Sequence, residues 1–398
     1  MTSSRRLDAV KPSATMAMTA RAIQLRREGR DIVSLSVGEP DFPVFPHVAE
    51  AVADALKKGY TKYTPSNGIA DLREAISDWM FNGVGVRWPA GQVIVTSGAK
   101  QALYNACMAL LDDGDEAVIP NPYWVSYPEM VRLAAGKPID LMLRQEDGWS
   151  PRPEDLERIL TPRTRVFIFS SPSNPTGAVW SAETMRGIAR VLEKFPRVIV
   201  LSDDIYDRLV YGGAKATNLL QVAPQLKERT VLVNGCSKAY AMTGLRLGWA
   251  CGPAEIISGM NKVQDASTSN SSSLSQYAAV AALRGPQEPV EAMRVQFEKR
   301  RHLMVDLLKQ VRGVEAHAPD GAYYVFADFS RLLPRKYRGE PVATTQRLAE
   351  ILLEEFGVAS VPGSSFGREG YLRLSFAISE ADIRKAMERV ARCASSLD

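Results

Sequence analysis

Seven short apolar runs, several rich in β-branched residues, recur between residues 93 and 252, and they limit the folds open to this chain. They are VIVTSG (93–98), EAVIPN (116–121), PIDLML (138–143), RVFIFSS (165–171), VIVLSDD (198–204), TVLVNG (230–235) and RLGWACG (246–252). Each is too short for a helix, and most lack the alternation of a strand with one wet face. Strands buried on both faces read this way, as in parallel sheets covered by helices. Helical segments such as QALYNACMALL (101–111) and AETMRGIARVLEKF (182–195) separate several of the runs. The pattern predicts an α/β fold with a mostly parallel, seven-stranded central sheet and helices on both faces.

The flanks read differently. Residues 13–29 predict a helix that leaves a basic arm and ends at Gly29, and LSVGEPDF (35–42) predicts a short strand running into a Gly/Pro turn. HVAEAVADALKKG (47–59) and IADLREAISDWMF (69–81) have helical periodicity. DASTSNSSSLSQ (265–276) has the composition of a linker. Beyond it come a long helix over 291–311, YYVFADF (323–329), a helix over 343–356, YLRLSF (371–376) and a helix near 380–395. This tail predicts a smaller α+β domain. The expected division is an N-terminal arm with part of the small domain (1–45), a large ligand-binding domain (46–290) and a C-terminal small domain (291–398).

Composition narrows the function. The 398 residues are 45% hydrophobic, enough for a large core. The net charge of +4 is spread along the chain, which argues against a nucleic-acid partner. No window nears the ~18 uninterrupted apolar residues of a membrane-crossing helix. MTSSRRLDAVKPSATMAM lacks the apolar stretch of a signal peptide, so a cytoplasmic protein is expected. Cys107, Cys236, Cys251 and Cys393 form no CxxC pair and are expected to be reduced. His47, His302 and His317 show no metal-ligand spacing, so no metal site is expected.

In open α/β sheets, ligands bind beyond the C-terminal ends of the strands. Reading past the runs gives Ser97-Gly98-Ala99-Lys100, Asn121-Pro122-Tyr123-Trp124, Pro172-Ser173-Asn174-Pro175-Thr176-Gly177, Asp203-Asp204-Ile205-Tyr206 and Gly235-Cys236-Ser237-Lys238. One sheet edge thus gathers an anion-binding helix start, an aromatic, an amide, a carboxylate and a lysine. The set suits a ligand with a phosphate, a flat ring, a basic ring nitrogen and an electrophilic carbon. Pyridoxal 5'-phosphate has all four. A lysine forms a Schiff base with its aldehyde, and a carboxylate holds its ring nitrogen protonated. At an effective dielectric of about 20, such an ion pair ~3 Å apart attracts by on the order of 5 kcal/mol before desolvation.

These segments, in this order, resemble the fold-type I aminotransferases of the aspartate aminotransferase superfamily. Within it they are similar to the bacterial branch of aspartate and aspartate/prephenate aminotransferases. The resemblance runs through KPSAT (11–15), GEPDF (38–42), TKYTPSNGIADLREA (61–75), NPYWVSYPEM (121–130), SNPTG (173–177), SDDIY (202–206), SKAYAMTGLRLGW (237–249) and YLRLSFA (371–377). It implies Lys238 as the Schiff-base lysine and proton shuttle, and Asp203 as the partner of the ring nitrogen. Asp203 is favoured over Asp204 because only Asp203 has a tyrosine, Tyr206, three residues on. Tyr206 and Asn174 are implied to meet the ring 3-oxygen, and Trp124 to stack on the ring. Gly98, Ala99 and Lys100 open the helix under the phosphate, with Ser237 and Arg246 as further phosphate ligands. Tyr63 is implied to reach the phosphate in a neighbouring subunit, which makes the protein a homodimer with shared sites. Arg373 is implied to clamp the substrate α-carboxylate by a bidentate fork, with Gly38, Trp124 and Asn174 also facing substrate. The chain departs from many relatives at Gly235, where a serine would add a phosphate hydroxyl.

The implied reaction is a ping-pong transfer of an amino group between an L-amino acid and a 2-oxo acid. In the similar branch, the position of Lys100 lies near an acidic side chain, which favours L-aspartate with 2-oxoglutarate, giving oxaloacetate and L-glutamate. The alternative for Lys100 is a helix-end lysine facing solvent or phosphate. The alternative substrates are prephenate or an aromatic oxo acid, or those of a specialised pathway on the same scaffold. KPSATMAMT (11–19) is expected over the pocket, and the Ser-rich run is either a plain loop or part of the neighbouring subunit's phosphate cup. GSSFG (363–367) fits the GxSxG pattern of hydrolases, but no histidine follows it in the chain. GVGVRW (83–88) lacks the third glycine of a dinucleotide fingerprint and precedes the first strong strand.

Overall fold

All seven apolar runs become strands of one sheet in the computed structural model, which describes Ser4, Leu7, Asp8, Val10 and residues 14–398. They are β1 (Val93–Thr96), β2 (Glu116–Asn121), β3 (Lys137–Met142), β4 (Thr164–Ser170), β5 (Ile199–Asp203), β6 (Thr230–Gly235) and β7 (Gly248–Cys251). Their spatial order is β1-β7-β6-β5-β4-β2-β3. Pairings among β3, β2, β4, β5 and β6 are parallel, whereas β7 runs antiparallel to both β6 and β1. Every residue of β1, β2, β6 and β7 is buried, so both faces of the sheet are covered. The run at 138–143 departs from that expectation. It forms edge strand β3, where Lys137, Asp140 and Met142 are exposed and Leu141 is buried. A lysine and a proline at its start suit an edge that must not pair further.

The antiparallel strand matters for the site. Parallel strands end on one edge of the sheet, and β7 begins there. Residues just after β1, β2, β4, β5 and β6 therefore meet residues just before β7, Arg246 among them. Two glycines permit the close approach. A Cβ on Gly248 would overlap the Ala99 nitrogen at the start of helix Ala99–Leu110. A Cβ on Gly235 would lie 2.8 Å from Leu247 O and 2.9 Å from Gly248 Cα. The glycine at 235 is thus demanded by the turn into β7, whose backbone leaves no room for a serine there.

The C-terminal part carries a three-stranded antiparallel sheet, Val361–Pro362, Tyr371–Ser375 and Tyr324–Asp328, with the middle segment in the centre. The N-terminal segment joins this part. Val33–Ser34 pairs in parallel with Val358–Ala359, and Leu35 bonds through its backbone to both Ala359 and Ser375. The strand expected in LSVGEPDF (35–42) does not form there: the two-residue strand Val33–Ser34 lies just before it, and the chain from 35 to 38 runs without regular structure.

The Ser-rich run is not a linker. It closes helix Ala254–Ser267 and opens helix Ser273–Arg284. Ser272 caps the second helix by accepting a hydrogen bond from Ser275 N. Gln276 is fully buried, accepts from Ile69 N at 2.8 Å and donates to Thr64 Oγ1 and Ser271 O. Serine composition here serves a helix cap and a tight corner, the other common use of that residue. Among the described residues, no helix is long and apolar enough to cross a membrane. The contact between Gly248 and the helix start sets a test. Gly248→Ala should destabilise the fold by about 1–3 kcal/mol through overpacking, read as a shifted urea midpoint with unchanged slope.

Candidate active site

A cavity of about 490 Å³ opens where the strand ends converge. Ser170 ends β4 and Asp203 ends β5, and both line it. Ser237 and Lys238 follow β6 on the short helix Cys236–Ala239 and line it too. Trp124 arrives from the turn after β2, and Ala99 and Lys100 from the helix after β1.

Lys238 is half-buried, and its Nζ donates to Gly38 O at 2.6 Å. The Tyr323 hydroxyl donates to the same carbonyl at 2.8 Å. Burial pushes the lysine pKa down to about 8, with Arg373 and Arg246 adding to the effect and Glu39 and Asp203 opposing it. The amine is therefore partly neutral near physiological pH. Asp203 is buried and accepts from Tyr127 Oη at 2.7 Å and from Ile205 N at 3.3 Å. Burial raises its carboxyl pKa to about 6, while the Tyr127 and Ile205 donors and the Lys238 charge hold it back.

Asp204 turns away from this cavity. It accepts from Ser202 Oγ at 2.7 Å and from Asn218, and burial lifts its pKa well above the usual carboxylate range. It lines a second cavity of about 510 Å³ with Asp207, Asn218 and Asn234. There Asn234 Nδ2 donates to Asp207 and Asn218 to Asp204, so these polar groups are spent on one another. The convergent chemistry lies in the cavity of Lys238.

Opposite the lysine stands Arg373, buried on the strand Tyr371–Ser375. Its Nη1 donates to Asn174 Oδ1 at 3.1 Å and its Nη2 to Ser36 O at 2.7 Å. Its guanidinium carbon sits 4.3 Å from the centre of the Tyr324 ring. Its Nε is buried without a hydrogen-bond partner among the described residues, a donor that calls for an acceptor. The hydroxyls of Tyr206 and Tyr324 lie 3.0 Å apart. Gly38 is fitted to this corner, because a Cβ there would come within 2.9 Å of Tyr324 Oη.

The other end of the cavity is cationic. Gly98, at φ +83°, precedes the helix Ala99–Leu110, whose first N–H groups face outward from the helix start. A Cβ on Gly98 would lie 2.5 Å from Arg246 Nη2, so the glycine makes room for the guanidinium. Arg246 itself holds a left-handed backbone at φ 52° and donates to Thr243 O at 2.8 Å. Lys100 sits on the rim with its ammonium 4.9 Å from the Trp124 ring centre. Although the side chain still reaches solvent, partial burial and then the Arg246 charge hold its pKa below the usual lysine value.

Twelve of the thirteen residues singled out in the sequence thus meet at or beside one cavity, and Tyr63 does not. Its side chain is 93% exposed and lines no part of its own chain's cavity. Thr15, Met16 and Thr19 line the mouth, as expected for that segment, while Lys11, Pro12 and Ser13 lie outside the described residues. GSSFG forms a 3₁₀ turn followed by a strand rather than the helix a nucleophile elbow needs. Sequence reading missed Tyr127, Tyr323, Tyr324, Ser36 and Glu39. Tyr127 lies within NPYWVSYPEM (121–130), three residues after Trp124. Tyr323 and Tyr324 were hidden in a strand read only for its apolar pattern.

The architecture and the cavity have known counterparts. Residues 30–390 match the family model described as aminotransferase class I and II. The chain is 41% identical over 390 residues to an aspartate/prephenate aminotransferase of Nitrosomonas europaea, covering 98% of each. It is 43% identical over 391 residues to an aspartate aminotransferase of Geobacillus stearothermophilus, again covering 98% of each. The solved aspartate aminotransferase of Rhizobium meliloti superimposes with a TM-score of 0.96 at 41% identity over 100% of both chains. That of Thermus thermophilus with maleate gives 0.93 at 43% identity, over 99% of this chain and 100% of the other. The strand order, the convergent lysine, carboxylate and arginine, and these likenesses lead to one conclusion: the chain belongs to the class I and II aminotransferases of fold type I and is a transaminase.

Proposed function

We propose that the chain transfers the amino group of L-aspartate to 2-oxoglutarate in a ping-pong cycle, with pyridoxal 5'-phosphate as cofactor. One observation carries the reading: a lysine of lowered pKa shares a cavity with a buried carboxylate and a buried arginine that has an unspent donor.

The residues fit that cofactor. Lys238 would hold its aldehyde carbon and Asp203 its ring nitrogen. The Gly98–Ala99 helix start, Ser237 and Arg246 would hold its phosphate, and the room that Gly98 leaves beside Arg246 supports this. Tyr206 and Asn174 would flank the ring oxygen, and Trp124 would cover a face. When bound, the cofactor supplies an electron sink for the bonds at the substrate α-carbon. Tyr63, exposed on its own chain, would complete the phosphate site of a second subunit, which makes the working unit a homodimer. A cytoplasmic location suits a chain of this kind.

The chain's own groups divide the work. Arg373 receives the α-carboxylate, with its Nε still open and its forked geometry matched to two oxygens. Lys238 Nζ takes and returns the α-proton, a task suited to a group whose pKa lies close to neutral. Asp203 acts through charge developed during the reaction, so its loss should fall on turnover more than on donor binding. Lys100, on the rim, offers a cation to the second carboxylate of a dicarboxylic substrate. Prephenate, also a dicarboxylate, is a second acceptor favoured by the relatives named for it.

Three measurements test this. Incubated with pyridoxal phosphate, the chain should gain a lysine-linked absorbance that aspartate abolishes and 2-oxoglutarate restores; Lys238→Ala should abolish the linkage. An amine must be neutral to attack an aldehyde, and the neutral fraction of Lys238 grows as pH rises through its pKa. The loading rate should therefore climb with a midpoint near about 8 and flatten above it. Lys100→Ala should raise KM for aspartate roughly 10-fold, the loss of one ion pair, while a monocarboxylic donor changes little. An unchanged aspartate preference in that variant would remove Lys100 from substrate recognition.

A further inference from the structure

Tyr127 is given no role in the proposed reaction, yet it touches two of the groups assigned to the cofactor ring, Asp203 and Trp124. It stands in the first turn of helix Ser126–Leu133, directly after the turn that carries Trp124, and it is buried. Its backbone N–H donates to Trp124 O at 3.0 Å. Its ring meets the Trp124 indole edge-on, with centroids 5.4 Å apart and planes at 86°. Its hydroxyl donates to Asp203 Oδ2 at 2.7 Å.

The direction of that bond is fixed. Burial, then the Asp203 charge, pushes the phenol pKa well above its ordinary value, so the proton stays on Tyr127. With Ile205 N–H on Oδ1 and Tyr127 on Oδ2, both carboxylate oxygens are held and the carboxylate plane cannot turn freely. Other groups act on Asp203 from neighbouring elements. Lys238 reaches it from the helix after β6, Asp204 adjoins it, and Tyr206 follows one turn later. Arg373 acts on both Lys238 and Tyr206. Of the charged or polar side chains, Tyr127 is the one that donates a hydrogen bond to Asp203 among the described residues.

We propose that Tyr127 is a positioning residue of the reaction centre: its hydroxyl holds the Asp203 carboxylate in plane and charged for the cofactor ring nitrogen, and its ring edge sets the tilt of Trp124. The proposal rests on the pyridoxal phosphate reading.

Tyr127→Phe removes one oxygen and keeps the ring. A hydrogen bond to a charged group contributes enough that cofactor dissociation from the variant should rise roughly 10- to 100-fold in titrations of the cofactor-free chain. A weaker hold on the ring-nitrogen proton withdraws less charge from the lysine-linked nitrogen. The pH midpoint of the bound chromophore should therefore move upward. Turnover should fall with KM little changed. In an Asp203→Asn background, where the charge is gone, the same Tyr127→Phe change should alter cofactor affinity less than about twofold by the logic of a double-mutant cycle. Two results overturn the proposal: a Phe variant with wild-type affinity and chromophore midpoint, or an equal loss with Asp and with Asn at 203. A wild-type chain that forms no lysine-linked chromophore overturns the cofactor reading, and this proposal with it. A wild type that loads and a Phe variant that matches it overturn the role of Tyr127 alone.

Discussion

Lys238, Asp203 and Arg373 are charged groups withdrawn from water into one cavity, and the rest of the architecture answers that cost. An isolated buried charge is expensive, and a protein keeps one only with compensating partners. The compensation here is mixed. Asp203 has two donors and a nearby ammonium, yet its pKa still rises to about 6. Lys238 has one carbonyl acceptor and two repelling guanidiniums, and its pKa falls to about 8. The two groups have moved toward each other and toward neutral pH. The lysine's shift suits the proton transfer proposed for it, and the raised carboxyl marks a site that a cation beside Asp203 would relieve.

The sheet makes the convergence possible. Five strands that end on one edge deliver residues from separate stretches of chain, and the antiparallel β7 returns Arg246 to the same edge. Close packing then sets the side-chain rules. Gly248 and Gly235 are small because backbone meets backbone there, whereas Gly98 is small because a guanidinium lies against it. These are different demands written with the same letter.

Much of this was legible from the chain alone. Uniformly apolar runs such as TVLVNG and VIVLSDD announced buried strands, since period and composition are local properties. The polar residues just past them followed from topology. Four features were not legible. The direction of β7 depends on how the chain returns from the lysine loop, which no local pattern records. β3 reads as apolar as its neighbours, and its edge position is a matter of sheet order. DASTSNSSSLSQ carries the composition of a linker, and only its tertiary setting turns those serines into a helix cap beside the buried Gln276. Tyr127 was invisible for a related reason. A tyrosine on a helix face looks like core until the carboxylate it meets, 76 residues away, is in place.

Arg373 bonds to Asn174, 199 residues earlier, and to Ser36, 337 residues earlier. The pocket is therefore stitched from the two ends of the chain. At synthesis rates of 5–20 residues per second, roughly 17 to 70 s separate the emergence of Ser36 from that of Arg373. Through that interval the central sheet can assemble, but its catalytic edge lacks the arginine. Whatever part of the sheet forms in that interval, the contacts of Ser36 and Asn174 with the buried guanidinium are made only after residue 373 has emerged.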